Sequence, residues 1–384
     1  MNILLVNTVL HNAQGKETVG GVEYHRMVKP HAVLRRMFPE FDLLMTNGLN
    51  PETAEAELKQ TDLVMFSRQL APFEYIEEVA EGLNKRNIPF GIDIDDYWHL
   101  PETHVSYESY KQFRTPEATE LSLRLAHFVT CTTPYLAEQI KPFNENVYVI
   151  ENGIDTEDPV WQLNKVKSDR LRFGFTQGNT HFEDIKTISK DVVKSFNDTG
   201  FFSKAQVCLT GFAAFHPVYE TKTTELKYER MLTNDYKVIR HKLPEYYHSL
   251  RLFKNVEDTN VPYRRVWGKD VFEFASVYDS IDVSVVPLIE NKFNSCKSEL
   301  KMIEAAFKDC SVMVSHVKPY TILATDKNSF DLNKKSFFEW QRYLLNNPTA
   351  VEDSKAHLKE DCKKYDLKLL TPKRKELYER YKKS

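Results

Sequence analysis

The sequence predicts an α/β protein made of two Rossmann-like halves whose parallel sheets face each other across a cleft. Three observations predict it. Short apolar runs alternate with helical stretches, the pattern restarts after a polar stretch at residues 162–169, and a chain of 384 residues suits two domains better than one.

Ile3-Leu4-Leu5-Val6 is apolar throughout, as a strand buried on both faces should be. Further strands are expected at Leu63 to Phe66, Pro89 to Ile92, Phe128 to Cys131 and Val147 to Ile150. The second half offers Leu171 to Phe175, Gln206 to Leu209, Val283 to Val286 and Ser311 to Val314. This gives domains of residues 1–163 and 164–384. A Tyr- and Lys-rich insertion at Phe212 to Pro262, with a helical-looking stretch from Tyr228 to Phe253, has no evident role. The chain closes with expected helices at Lys335 to Asn346 and Thr371 to Lys383, the latter with Thr371 as N-cap and Pro372 at its first position.

Composition narrows the function classes. With 41% hydrophobic and 28% charged residues, the chain reads as a soluble globular protein, and its net charge of -3 supplies no overall drive towards nucleic acid. Five scattered cysteines form no CxxC pair and no zinc-like cluster with histidine, which points to reduced thiols in the cytoplasm. Met1 to Val6 lacks the features of a signal peptide, and no apolar run is long enough to span a membrane. The basic stretch Arg26 to Arg36 could touch an anionic membrane surface from outside, although such clusters are usually solvated faces.

In open α/β sheets, ligands bind outside the carboxyl ends of the strands, so residues just after strands carry the functional expectation. The most informative segment precedes the strand at Ser311 and runs Phe293-Asn-Ser-Cys-Lys-Ser-Glu-Leu-Lys-Met-Ile-Glu-Ala-Ala-Phe307. It reads as one helix with Asn294 or Ser295 as N-cap. Leu300, Ile303 and Phe307 would face the core, and Lys297, Lys301 and Glu304 would share a neighbouring stripe. A lysine in the first helical turn opposes the helix dipole unless a bound anion, such as a diphosphate, reconciles the two. Glu304, two turns on, could accept hydrogen bonds from ribose hydroxyls. A salt-bridged, solvated helix face would show the same spacing.

The run Phe293-Asn294-x-x-Lys297-Ser298-x-x-Lys301-x-x-Glu304-Ala305-Ala306 resembles the nucleotide-sugar helix of group 1, or family 4, retaining glycosyltransferases. Other stations of that family stand in order: Gly20-Gly21 with Tyr24 and Arg26, Ser67-Arg68, Asp93-x-Asp95-Asp96-x-Trp98, Glu151-Asn152-Gly153-Ile154-Asp155 and Tyr365-Asp366-Leu367. The resemblance implies a GT-B fold, a nucleotide-diphosphate sugar as donor held mainly by the second domain, no obligatory cofactor or metal, and a last helix that packs back on the first domain. Gly20, Gly21, Gly178, Thr180, His181, Lys297, Ser298 and Glu304 are expected on the donor, and Asp95, Asp96 and Trp98 on the acceptor side, with Arg68 either an acceptor-side ligand or a partner of these aspartates. Lys297, His181 and Asp96 are the expected catalytic groups.

One departure stands out. The family often carries two glutamates spaced E-x7-E, and the first falls on Cys296 here. The implied reaction is transfer to a cell-surface or lipid-linked glycan. Two alternatives follow from the same residues: transfer to modified bases in DNA, and a non-catalytic nucleotide-sugar binding module. The Asp93-x-Asp95 spacing also allows a divalent-ion reading, because hard carboxylate oxygens suit Mg or Mn.

Overall fold

The computed structural model describes residues 1–7, 9–11, 17–177, 181–198, 203–212, 263–267 and 269–383. The insertion expected to be helical at Tyr228 to Phe253, and the turn residues Gly178 and Thr180, lie outside the described residues.

In the first half, β1 (Asn2–Asn7) is followed by a hairpin of β2 (Val9–His11) and β3 (Glu17–Val19), then by β4 (Asp42–Asn47), β5 (Leu63–Ser67), β6 (Phe90–Ile94), β7 (Phe128–Cys131) and β8 (Val147–Val149). Apart from the hairpin these strands form one parallel sheet in the order β4-β1-β5-β6-β7-β8. The second half contributes β9 (Leu171–Phe175), β10 (Ala205–Phe212), β11 (Tyr263–Trp267), β12 (Val283–Val286), β13 (Ser311–Val314) and β14 (Phe330–Asp331), all parallel, in the order β11-β10-β9-β12-β13-β14. Burial on both faces explains why Ile3 to Val6 and Val312 to Val314 are apolar without alternation, and why Val283 to Val286 is buried at every position with Ser284 its one polar residue.

The two halves are tied where the chain passes between them. Ile154 N donates to Tyr365 O at 2.9 Å, Leu367 N donates to Ile154 O at 2.9 Å, and Thr156 Oγ1 donates to Asp366 Oδ2 at 2.7 Å. The last helix, Leu367–Arg380, then returns to the first sheet, where Leu377 and Tyr378 pack with Ile3, Leu5, Met27 and Leu34. His31 Nε2 lies 2.8 Å from the Tyr378 hydroxyl and secures that docking. The helix begins earlier than its proline suggests. Asp366 is the N-cap, accepting from Lys368 N at 2.9 Å, while Thr371 sits inside the helix with Oγ1 donating to Leu367 O at 2.6 Å. Burial of Leu367, Leu370 and Thr371 outweighs the backbone donor that Pro372 lacks.

Gly153 makes the crossing possible. A Cβ there would stand 2.8 Å from both Tyr365 O and Leu370 Cδ1, closer than real contacts allow. Gly153→Ala is therefore expected to destabilise the protein by about 1–3 kcal/mol through overpacking. Urea denaturation checks this, and an unchanged midpoint would show that the crossing segment can yield.

The basic stretch after β1 is not a free cationic face. Arg26 is buried, Lys29 pairs with Asp158, and Arg36 holds both Asp155 (2.7 Å) and Glu157 (2.9 Å). These cations anchor the first domain to the segment leaving it. No helix among the described residues is long and apolar enough to cross a membrane.

Candidate functional site

The carboxyl ends of the two sheets enclose a cleft of about 830 Å³, with Gly21, His25 and Arg68 on the first-domain side and His181, Lys297 and Lys301 on the other. The helix that enters it after β1 is irregular. It runs Gly21–Glu23, widens to a π-helical turn at Tyr24–Val28 and resumes at Lys29–Met37. Pro30 cannot donate to the carbonyl four residues earlier, and the turn before it widens. A Cβ on Gly21 would meet nothing within 4 Å and would project into the cleft, so this backbone is open to close approach by a ligand.

Behind the first-domain wall lies a buried ion pair. Arg26 donates through Nε to Asp93 Oδ1 (2.8 Å) and through a terminal nitrogen to Asp93 Oδ2 (2.9 Å), and Thr130 Oγ1 donates to Oδ2 at 2.6 Å. Arg26 also donates to Ile150 O at 2.8 Å and to Asn152 Oδ1 at 3.2 Å. Burial disfavours the Asp93 charge, but Arg26 overcomes it and holds the carboxyl below its ordinary range. Asp93 is thus a structural anchor. Asn152 passes the network across the cleft by donating from Nδ2 to Ser298 Oγ at 2.8 Å.

Asp95 and Asp96 diverge from Asp93. Asp95 accepts from Arg68 Nε at 3.2 Å, and burial raises its pKa to about 6, with Asp96 adding to the rise and Arg68 opposing it. Arg68 itself adopts a left-handed φ of 67°, which turns the chain sharply after β5. Asp96 reaches the opposite wall, where Oδ2 lies 3.2 Å from Lys297 Nζ. Burial works against the Asp96 charge, and Lys297 followed by Arg68 outweighs it. Lys297 of the second half and Asp96 of the first therefore touch, a contact that the expectation of separate donor and acceptor sides did not anticipate.

The segment expected to be a single helix is split. Lys292–Ser295 forms one turn capped by Asn291, whose side chain accepts from Asn294 N at 2.8 Å, and a second helix runs Leu300–Phe307. Neither Asn294 nor Ser295 is the cap. Asn294 instead donates from Nδ2 to Asp184 Oδ1 and Ile289 O, both at 2.9 Å, and this tertiary tie outweighs continuous helix. Lys297 stands in the connection, just ahead of the second helix. Cys296 is fully buried and packs into the apolar cluster of the first domain that includes Trp98 and Leu136. Burial pushes its thiol up to about 12. A glutamate there would place a charge against apolar side chains at a cost of several kcal/mol.

Glu304 is only 1% exposed, so it does not lie on a solvated stripe. Its Oε2 accepts from the Tyr278 hydroxyl (2.6 Å) and Lys301 Nζ (2.7 Å), and Oε1 lies 3.4 Å from His25 Nε2 across the cleft. Burial raises its pKa, but Lys301 and then His25 prevail and hold it down at about 2. His181 is oriented by Asp184, whose Oδ2 is 2.8 Å from Nδ1. A carboxylate only accepts, so Nδ1 carries the proton and Nε2 of the neutral ring keeps a lone pair. Burial and Lys297 lower its pKa, favouring that neutral form.

Trp98 is 4% exposed, packs edge-on against Phe143 and donates from its indole nitrogen to Glu120 at 3.1 Å, so it shapes the wall rather than offering an open face. Gly20 caps the helix at Gly21 through its backbone. Sequence reasoning did not single out His25 and Tyr278, and it did not place Lys301 in the site. His25 was legible only as the neighbour of Tyr24 and Arg26, and Lys301 as a member of the stripe. Tyr278 carried no signal.

No family model matches the sequence, and no curated protein matches it. Solved structures do. Over 99% of this chain and 100% of the other, the fold is similar to the Anabaena protein HepE in complex with UDP, with a TM-score of 0.64 at 11% identity. A sucrose-phosphate synthase from Thermosynechococcus elongatus superposes with a TM-score of 0.66 over 99% and 98% of the chains at 11% identity. A trehalose-6-phosphate protein from E. coli bound with UDP-2-fluoro glucose gives 0.61 over 98% of each chain at 9% identity. The chain therefore has the GT-B fold.

Proposed function

We propose that the protein is a glycosyltransferase that moves a sugar from a nucleotide-diphosphate sugar to a glycan acceptor with retention of configuration. The observation that carries this reading is the convergence of Lys297, Lys301 and Glu304 from one segment of the second domain on His25 and Asp96 of the first. It is supported by similar folds solved with UDP and with UDP-2-fluoro glucose.

Lys297 and Lys301 meet the diphosphate, and Glu304 accepts from the ribose hydroxyls. When phosphate takes Lys297, Asp96 is released from its 3.2 Å contact and becomes free to accept from an acceptor hydroxyl. His181 Nε2 offers a further acceptor on the second-domain wall. As the glycosidic bond to the diphosphate breaks, the new negative charge is stabilised by Lys297, a fixed cation that needs no reorganisation. On the same-face route implied by the family resemblance, an oxygen of the departing phosphate takes the acceptor proton, so no protein base is required. The neighbouring aspartates are each matched to a cation of the chain, which supports a metal-independent donor site.

The test is hydrolysis and binding across a panel of nucleotide sugars, with and without EDTA. Absence of both for every donor would sink the proposal, and activity abolished by EDTA and restored by Mn would return the aspartates to the divalent-ion reading. Within the same assay, Glu304→Gln is expected to weaken nucleotide binding about tenfold and leave kcat within a few-fold of the parent, because ribose contacts change little between ground and transition state. An equal loss in kcat would assign Glu304 to the chemical step.

A further inference from the structure

The first domain carries a second groove, of about 700 Å³, outside the carboxyl ends of β4 and β5. Buried Leu4 and Leu70, with Pro51 and Pro72, give it apolar walls, and Tyr75, 56% exposed, presents an aromatic ring at its rim. Its polar groups are uncharged or acidic. Asn50 uses Oδ1 to accept from Glu52 N at 2.9 Å, which leaves its amide nitrogen as a donor. Glu57 and Glu78 are exposed and make no side-chain hydrogen bond or ion pair among the described residues. Among the described residues, no Lys, Arg or His lines the groove.

That chemistry selects a ligand class. With two unpaired carboxylates and no cation, the groove repels phosphate and polyanions, including a nucleic-acid backbone. Apolar walls beside an exposed aromatic ring suit the C–H face of a pyranose, while carboxylates and an amide suit its hydroxyls. The groove also adjoins the cleft across a single ridge. Gln69 lines the cleft and the next residue, Leu70, lines the groove. The ridge between them is fixed, since Leu70 N donates to Ser122 Oγ at 3.1 Å and Gln69 Nε2 donates to Ala71 O at 3.1 Å.

We infer that this groove is a subsite for a neutral sugar residue of an extended glycan acceptor, whose reacting end lies over the Arg68–Gln69 ridge in the cleft. The inference rests on the glycosyl-transfer reading for the acceptor's fate, but not for binding.

The experiment is a neutral-glycan array followed by calorimetry of the best oligosaccharide with the full chain, Tyr75→Ala and Glu78→Gln. Both side chains are exposed and lie outside the donor site, so donor hydrolysis and thermal stability should match the parent. Oligosaccharide affinity should fall about tenfold in Tyr75→Ala and several-fold in Glu78→Gln, while any monosaccharide binding stays unchanged. No glycan bound, affinity unaffected by both substitutions, or capture only of oligolysine by the carboxylates would overturn it. If the parent hydrolyses no nucleotide sugar yet the array result holds, glycosyl transfer fails and the glycan subsite stands.

Discussion

Lys297→Ala should lower kcat/KM for sugar transfer by about 10²-fold or more, with a fall in kcat as well as in donor affinity. The reason is where the charge develops. In the ground state Lys297 already faces Asp96 at 3.2 Å and lies 4.4 Å over the Phe293 ring, a partly buried setting in which a cation interacts strongly with whatever anion approaches. Breaking the glycosidic bond adds charge to the diphosphate, so the lysine gains more in the transition state than on binding. Removing it should also free the Asp96 carboxylate, leaving an anion where the phosphate must sit and deepening the loss of affinity. Single-turnover transfer together with donor calorimetry separates the two effects. A folded Lys297→Ala protein with near-normal kcat would move the diphosphate away from this segment.

The sequence and the structure agree best where burial is two-sided. Ile3 to Val6, Phe128 to Cys131 and Val283 to Val286 are buried at every position, apolar but for Thr130 and Ser284, because helices cover both faces of the sheets. β4 escaped the reading for the converse reason. It is an edge strand whose Leu44 and Met45 are exposed, so its residues carry no burial pattern. The helix Pro348–Cys362 was also missed, since its polar face interrupts any clean apolar repeat and one of its four buried residues, Val351, Ser354, Leu358 and Cys362, is polar.

In the site, spacing identified the stripe of Lys297, Lys301 and Glu304 but could not foresee that the helix breaks between Cys296 and Leu300. That break depends on Asp184 and Asn152, far away in the chain, which hold Asn294 and Ser298. Nor can periodicity bring His25 to Glu304 or Tyr278 beneath it. Those contacts exist only once two domains have closed on each other. The Asp93-x-Asp95 spacing suggested one shared role, whereas β6 directs the first carboxylate to Arg26 and the second to Arg68.

That division makes Asp93 a position where a substitution should cost much stability. Asp93→Asn keeps the size of the side chain but leaves the Arg26 guanidinium buried without a counter-charge, a loss of about 3–5 kcal/mol for a pair of this kind. Its pH dependence has a definite sign. Burial disfavours the Asp93 charge, but Arg26 overcomes it and holds the pKa in the folded protein below its ordinary value of 3.8. The stabilisation is therefore complete above that value and is lost as pH falls through the folded pKa. Parent and variant should differ most in urea midpoint near neutral pH and converge under acid. If Asp93 instead served a ligand in the cleft, Asp93→Asn would keep the parental midpoint at every pH and lose only transfer, so denaturation at pH 7 and pH 3 decides between anchor and ligand.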